Sequence, residues 1–455
     1  MGACSAVVSA DSGHDIIIYD IDQARIENFA SLDKEKIEES LYEYGLADLV
    51  VKNKSRLKFT SDLEEIIKDL DNVQAIFMCL PTPEKDESGE TDLSYYEKAV
   101  NDLARILVKR NEGAQSQYVL IVNKSTVPLG MSSRAQEILD SHGVKNYGVG
   151  SNPEFLVEGK AIEGSTRPSR VVVGAWQEKD FAIFREIYKR FCESPNTSYL
   201  EVNPVEAEAG KLLANFILFN RLSACFDVVG RTCEKFDHLH FENIRRILIS
   251  DNRIGNWGFY DSLFAGGSCF IKDARSLSFQ LKEKNANVDI LNDTLSANER
   301  QLANFMQRPE QELKLDWQNK KVGILGLAFK RDTNDIRNSG AIGAVKFLSQ
   351  KNVAEIRAYD PIAGDNFQKY FSDNELVKIY TDRKTLIKDL DVLIIATDWP
   401  EFRELVQEIE ENLPTGALIM DGRRMLQAQY EKLNKAGYDI IAVGSSLKKS
   451  ISVVN

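Results

Sequence analysis

Short apolar runs alternate with stretches of helical periodicity along most of this chain. "DIIIYDID", "NVQAIFMCLP", "QYVLIVNKSTVP", "NYGVGSNPEF" and "SRVVVGA" have the length and β-branched content of strands. Between them lie segments such as "DLSYYEKAVNDLARILVKR", whose apolar residues return at helical spacing. Strand and helix in alternation predict crossover units and a mostly parallel sheet. Residues 204–236 then keep Leu, Ala and Phe at helical spacing, which predicts one long helix connecting domains, with further helices to about residue 310. "KKVGILGLAF" opens a second alternating series, continued by "EIRAYDP", "DVLIIATDWP", "ALIMDGRRML" and "DIIAVG". The pattern predicts an α/β protein with parallel-sheet domains over 1–200 and 311–455 and a helical middle over 201–310.

Composition narrows the partners. The 455 residues include 28% charged and 43% hydrophobic residues, the balance of a soluble globular protein. A formal net charge of -12 argues against nucleic acid or an anionic membrane surface, both of which need a basic footprint. No stretch reads as a signal peptide or as an apolar run long enough to span a bilayer. The six cysteines (Cys4, Cys79, Cys192, Cys225, Cys233, Cys269) are scattered without a CxxC pair, so they read as reduced thiols and predict a cytoplasmic protein without a metal site.

Several residues stand where chemistry is done. Asp20 ends the apolar run "DIIIYDID"; an acidic residue at the end of a second strand accepts hydrogen bonds from a ribose and favours NAD, although Asp is also an ordinary turn residue. Thr82 and Thr126 follow predicted strands, where ligands of open α/β sheets bind. Lys211 and Asn215 lie four apart, on one face of the predicted long helix, and a lysine and an amide together can donate to a developing oxyanion. Cys269 sits in "AGGSCFIKD", where Gly266 and Gly267 clear space for a thiol and Lys272 and Asp273 bring charge; a buried structural cysteine is the competing reading.

Taken together, "NPEFLVEG" (152–159), "AEAGKLLANFILFNRLS" (207–223), "GGSCFIKD" (266–273), "GLAFKRDTNDIR" (326–337) and "DGRR" (421–424) occur in an order that resembles the UDP-glucose/GDP-mannose dehydrogenase family. Its UDP-glucose 6-dehydrogenase branch looks nearest. The resemblance implies two Rossmann-like domains, NAD as cofactor and a four-electron oxidation of UDP-glucose to UDP-glucuronate. Cys269 matches the nucleophile that forms a thiohemiacetal and then a thioester, and Lys211 and Asn215 match the oxyanion donors. Asp273, Glu154 and Thr126 match groups around the reacting carbon.

On the substrate side, the resemblance implies contacts from Phe155, Leu156, Gly266, Phe329, Lys330 and Arg424, and from Arg253 of a neighbouring subunit, hence a homodimer at least. On the cofactor side it implies Gly2, Asp20, Arg25, Thr82, Thr126, Glu158 and Arg337. Two departures accompany it. Phe264 and Ala265 replace a usual Gly-Phe before the cysteine motif, and an altered loop path is expected because Ala takes positive φ less freely than Gly. The opening residues match only from the final glycine of the dinucleotide fingerprint, Gly2, so the first strand of the N-terminal domain is expected to be missing and NAD binding weak. A GDP-mannose or UDP-N-acetylhexosamine 6-dehydrogenase, or a non-catalytic nucleotide-sugar-binding relative, is the alternative.

Overall fold

The computed structural model describes residues 1–63, 65–66, 72–86, 88–111, 117–260 and 262–450. The chain divides into two compact units, one formed by Met1–Ala214 with Arg275–Asn287, the other by Asn215–Ala274 with Val288–Asn455. The middle of the sequence is thus shared between the two units.

In the first unit the predicted strands form as β1 (Ile16–Tyr19), β3 (Ala75–Met78), β4 (Val119–Asn123), β5 (Tyr147–Ser151) and β6 (Arg170–Gly174). Two more, β2 (Leu57–Thr60) and β7 (Ser198–Val202), were not legible in the apolar pattern. β1 pairs with β2 in parallel as a two-stranded sheet, while β3 to β7 form a second sheet in chain order. No pairing joins β1 to β3 among the described residues. Among the described residues of this second sheet, β5 and β6 meet antiparallel at Ser151–Gly174, while the other neighbouring strands pair in parallel. Side chains of β4 alternate between two cores: Val119 and Ile121 pack with Tyr96, Val100 and Leu139, whereas Leu120 and Val122 pack with Val171, Val173 and Phe184. Burial on both faces is why that strand reads as an unbroken apolar run.

The second unit holds β8 (Lys321–Leu325), β9 (Glu355–Tyr359), β10 (Val377–Ile379), β11 (Val392–Ile395), β12 (Leu418–Asp421) and β13 (Asp439–Ala442), all parallel, in the order β10-β9-β8-β11-β12-β13. This is the doubly wound order, in which the chain reverses direction across the sheet between β8 and β11. Val322, Ile324, Val392 and Ile394 face one core, and Leu325, Leu393, Ile395 and Ile419 the other.

The predicted long helix is present as Pro204–Ala224, followed by a π-helical turn Cys225–Gly230 and a last helical piece Arg231–Lys235. The absence of a membrane-length apolar run is corrected here. By length and composition the helix Pro204–Lys235 is long and apolar enough to cross a bilayer. The charged residues within it obscured this in the sequence, and two of them are paired in the fold. Glu208 accepts from the backbone of Gly130 and Ser132, and Lys211 pairs with Glu154.

Candidate active site

In the first unit, the residues that follow β4 and β5 are drawn together by backbone and side-chain hydrogen bonds. Asn152 N–H donates to the Asn123 carbonyl at 2.8 Å, and the Asn152 amide donates to the Val172 carbonyl at 2.7 Å. Two residues on, Glu154 accepts from Leu156 N–H through Oε2 and pairs through Oε1 with Lys211 Nζ at 3.2 Å. Both partners are almost wholly buried, with side chains 9% and 6% exposed. The Phe155 ring carries the Arg170 guanidinium 3.9 Å from its centroid. Thr82 Oγ1 donates to the Thr126 carbonyl at 2.9 Å, joining the turns that follow β3 and β4.

The same unit offers residues suited to a dinucleotide. The Gly2–Asp11 helix begins on a residue without a side chain, and no side chain caps it. A Cβ at Gly2 would come within 3.0 Å of Cys79. A helix start without a side-chain cap suits an anion such as a pyrophosphate. Asp20 follows β1 directly, accepts from Asp22 N–H and from Arg25 Nη1 at 2.8 Å, and keeps its side chain 31% exposed. An acidic group so placed fits a ribose. Glu158 is half-buried in the turn before Gly159.

In the second unit the cysteine loop and the "GLAFKRDTNDIR" segment meet. Gly267 N–H donates to the Arg337 carbonyl at 3.0 Å, and Asn338 Nδ2 returns a bond to the Gly267 carbonyl at 3.1 Å. Gly267 has φ +88°, and a Cβ there would lie 2.9 Å from the Phe329 ring; at Gly266 it would lie 2.2 Å from the Asn338 carbonyl oxygen. Both glycines are demanded by this close approach. Ala265 is different. It does not adopt positive φ, and Asn298 brackets it, accepting from its N–H at 2.8 Å and donating to its carbonyl at 3.1 Å. The substitution before the cysteine therefore introduces no backbone strain.

Cys269 is exposed and immediately precedes the Phe270–Glu283 helix. The free N–H groups of a helix start favour an anion at that point. One turn in, Asp273 is 1% exposed; its Oδ2 accepts from Asn215 Nδ2 at 2.6 Å and its Oδ1 from Lys272 Nζ at 2.7 Å. The segment holding Phe329 and Lys330 leaves the sheet at the carboxyl end of β8, beside the reversal in strand order, where ligands of such sheets bind. Asp360 fixes its start by accepting from Leu327 and Ala328 N–H.

The remaining predicted residues are placed as follows. Arg337 is bidentate to Asp335, and Arg253, with 90% of its side chain exposed, pairs with Asp251. The Arg424 guanidinium donates to the Val443 and Gly444 carbonyls and to Ser445 Oγ. Its neighbour Arg423, not singled out in the sequence, pairs with Asp398 at 3.0 Å and donates to Ser262 Oγ, while its buried Nε has no hydrogen-bond partner among the described residues. Spacing alone does not distinguish the two arginines. Lys124 was also missed: its only sequence signal is a lysine directly after an apolar strand.

Three family models match the chain: the NAD binding domain of the UDP-glucose/GDP-mannose dehydrogenase family over residues 1–192, its central domain over 205–300 and its UDP binding domain over 323–428. The chain belongs to the UDP-glucose/GDP-mannose dehydrogenase family. It is 32% identical to UDP-glucose 6-dehydrogenase TuaD of Bacillus subtilis over 448 residues, covering 98% of this chain and 91% of that protein. It is likewise 32% identical to the UDP-glucose 6-dehydrogenase of Rickettsia felis over 450 residues, covering 98% and 95%. The structure of a UDP-glucose dehydrogenase from Pyrobaculum islandicum superposes with a TM-score of 0.84 at 28% identity, covering 98% of this chain and 95% of that one. Membership makes this an NAD-dependent nucleotide-sugar dehydrogenase. NAD, when bound, accepts the hydride.

Proposed function

We propose that the chain oxidises UDP-glucose to UDP-glucuronate, with Cys269 as the nucleophile. The observation that carries this reading is an exposed thiol at a helix start, on a loop whose two glycines are wedged against Phe329 and Asn338. In the first stage the C6 alcohol loses a hydride and a proton to give an aldehyde. The Cys269 sulfur adds to it, forming a thiohemiacetal that cannot diffuse away. Loss of a second hydride and a proton gives a thioester, which water cleaves to the carboxylate and the free thiol. Lys211 and Asn215 donate to the oxygen that carries negative charge in these steps. Glu154, Asp273 and Thr126 order the water and the reacting carbon.

Phe155, Leu156 and Gly266 line the sugar, while Phe329, Lys330 and an arginine of the 421–424 motif meet the uridine diphosphate. Gly2, Asp20, Arg25, Thr82, Glu158 and Arg337 serve the cofactor. Arg253 completes the site of a second copy in a homodimer, a role its exposure supports. Exposed Leu213, Ile217 and Val228 on the long helix suit the same assembly.

The deciding experiment counts NADH formed per nucleotide sugar consumed, with UDP-glucose, GDP-mannose and UDP-N-acetylhexosamines each supplied in turn. Two NADH per UDP-glucose, with the others turned over poorly, is the expected result. One NADH per sugar would remove the thioester stage, and preference for another sugar would replace UDP-glucose.

A further inference from the structure

Lys124 is the first residue after β4, and its side chain is buried in the first unit. Its ammonium donates to Asn152 Oδ1 at 2.7 Å. Tyr188 OH donates to the same oxygen, and the Asn152 amide donates to the Val172 carbonyl. Asn152 is thereby held by three elements at the residue where the chain leaves β5 and turns toward Glu154. Burying an ammonium is costly unless something uses its charge. A neutral donor would satisfy Asn152 equally well, so the hydrogen bond alone does not account for a lysine here.

What the charge faces is informative. Glu154, from the turn after β5, favours the protonated form of Lys124; Lys211, from the Pro204–Ala224 helix, opposes it; the Cys79 thiol, from the end of β3, lies in its field; and the Tyr188 phenol reaches it through Asn152. Lys211 thus pairs directly with Glu154, and Lys124 lies within electrostatic reach of the same carboxylate.

We propose that Lys124 is a positioning residue of the reacting centre, fixing the turn that carries Glu154 through Asn152 and placing a second positive charge near Glu154 beside Lys211. The proposal rests on the reading of Glu154 and Lys211 as groups at the reacting carbon. Burial pulls the Lys124 pKa from an ordinary 10.5 down to about 8, so the charge is present at neutral pH and is withdrawn within an accessible range.

The test is the pH dependence of kcat between pH 7 and 9.5 for the wild type, Lys124→Met and Lys124→Arg. The wild type is expected to carry a component of its profile near pH 8 that disappears in Lys124→Arg, whose guanidinium stays charged throughout. Lys124→Met should lose roughly tenfold or more in kcat at pH 7, with KM for the sugar nucleotide little changed. Wild-type kcat and an unaltered profile in Lys124→Met would overturn the proposal. If that variant does not fold, a Lys124→Arg profile identical to the wild type would overturn it equally. Glu154→Gln and Lys211→Met are run alongside: wild-type kcat in both would overturn the underlying reading, whereas loss in both with no effect at Lys124 would overturn the positioning role alone.

Discussion

Asn215 Nδ2 donates to Asp273 Oδ2 at 2.6 Å, tying the long helix to the helix that starts at the thiol. Lys272 occupies the other carboxylate oxygen at 2.7 Å. An Asp273→Asn substitution places an NH2 group against one of these two donors. It should destabilise the fold by about 2 kcal/mol, the usual cost of a buried polar group left without its partner. With Asn215 loosened, kcat should fall while KM for the sugar nucleotide holds. Thermal unfolding and steady-state kinetics check both, and an unchanged melting temperature would show that the Asp273 contact contributes little.

Cys269→Ser should abolish acid formation and leave nucleotide-sugar binding nearly intact. A serine oxygen can add to an aldehyde, but the resulting ester is a poorer acyl donor to water than a thioester. Sustained synthesis of the uronic acid by this variant would end the covalent reading.

Lys211→Ala should lower kcat by about a hundredfold, the typical loss for a donor aimed at charge that develops on reaction, with a smaller change in KM. The substitution also strips Glu154 of its ion-pair partner at 3.2 Å, so the variant is assayed well below its own melting temperature. Ordinary kcat with weakened binding would move Lys211 into the set that anchors the substrate.

Gly267→Ala should destabilise the cysteine loop. At φ +88° a side chain is strained, and its Cβ would lie 2.9 Å from the Phe329 ring. Activity is expected to fall with the displacement of both Cys269 and Phe329. Gly13→Ala, at φ +104° with nothing within 4 Å, supplies the comparison: it carries backbone strain without the clash. Equal effects of the two substitutions on nucleotide-sugar oxidation would rule out the packing against Phe329 as the cause.

Lys124 also makes stability depend on pH. Its folded-state pKa of about 8 lies below the ordinary 10.5. Between these values the unfolded chain binds more protons than the folded one, so this group makes the fold more stable as pH rises through that window. The difference in melting temperature between wild type and Lys124→Met should therefore shift in favour of the wild type from pH 8 to pH 10. A difference that stays flat would place the Lys124 pKa near its ordinary value.

The sequence by itself determined the strands that are buried on both faces. β4, β8, β11 and β12 are unbroken apolar runs because neighbouring layers cover both sides, and such runs are visible without a structure. β2, β7 and β10 escaped notice because each mixes apolar with exposed residues, as in the half-open pattern of Ser198–Val202. The cysteine loop and the helix carrying Lys211 and Asn215 were legible for a different reason: a thiol between glycines and charges, and a four-residue spacing, are local signals. What only the tertiary structure decided are contacts across long sequence separations. Gly267 meets Arg337 and Phe329, Lys124 meets Asn152, and Arg424 is taken up by the turn after β13 while Arg423 is not. Spacing along the chain fixes which residues share a helix face, but the partner of a buried charge is set by which elements pack around it, and that is settled only when the sheets and helices close over it.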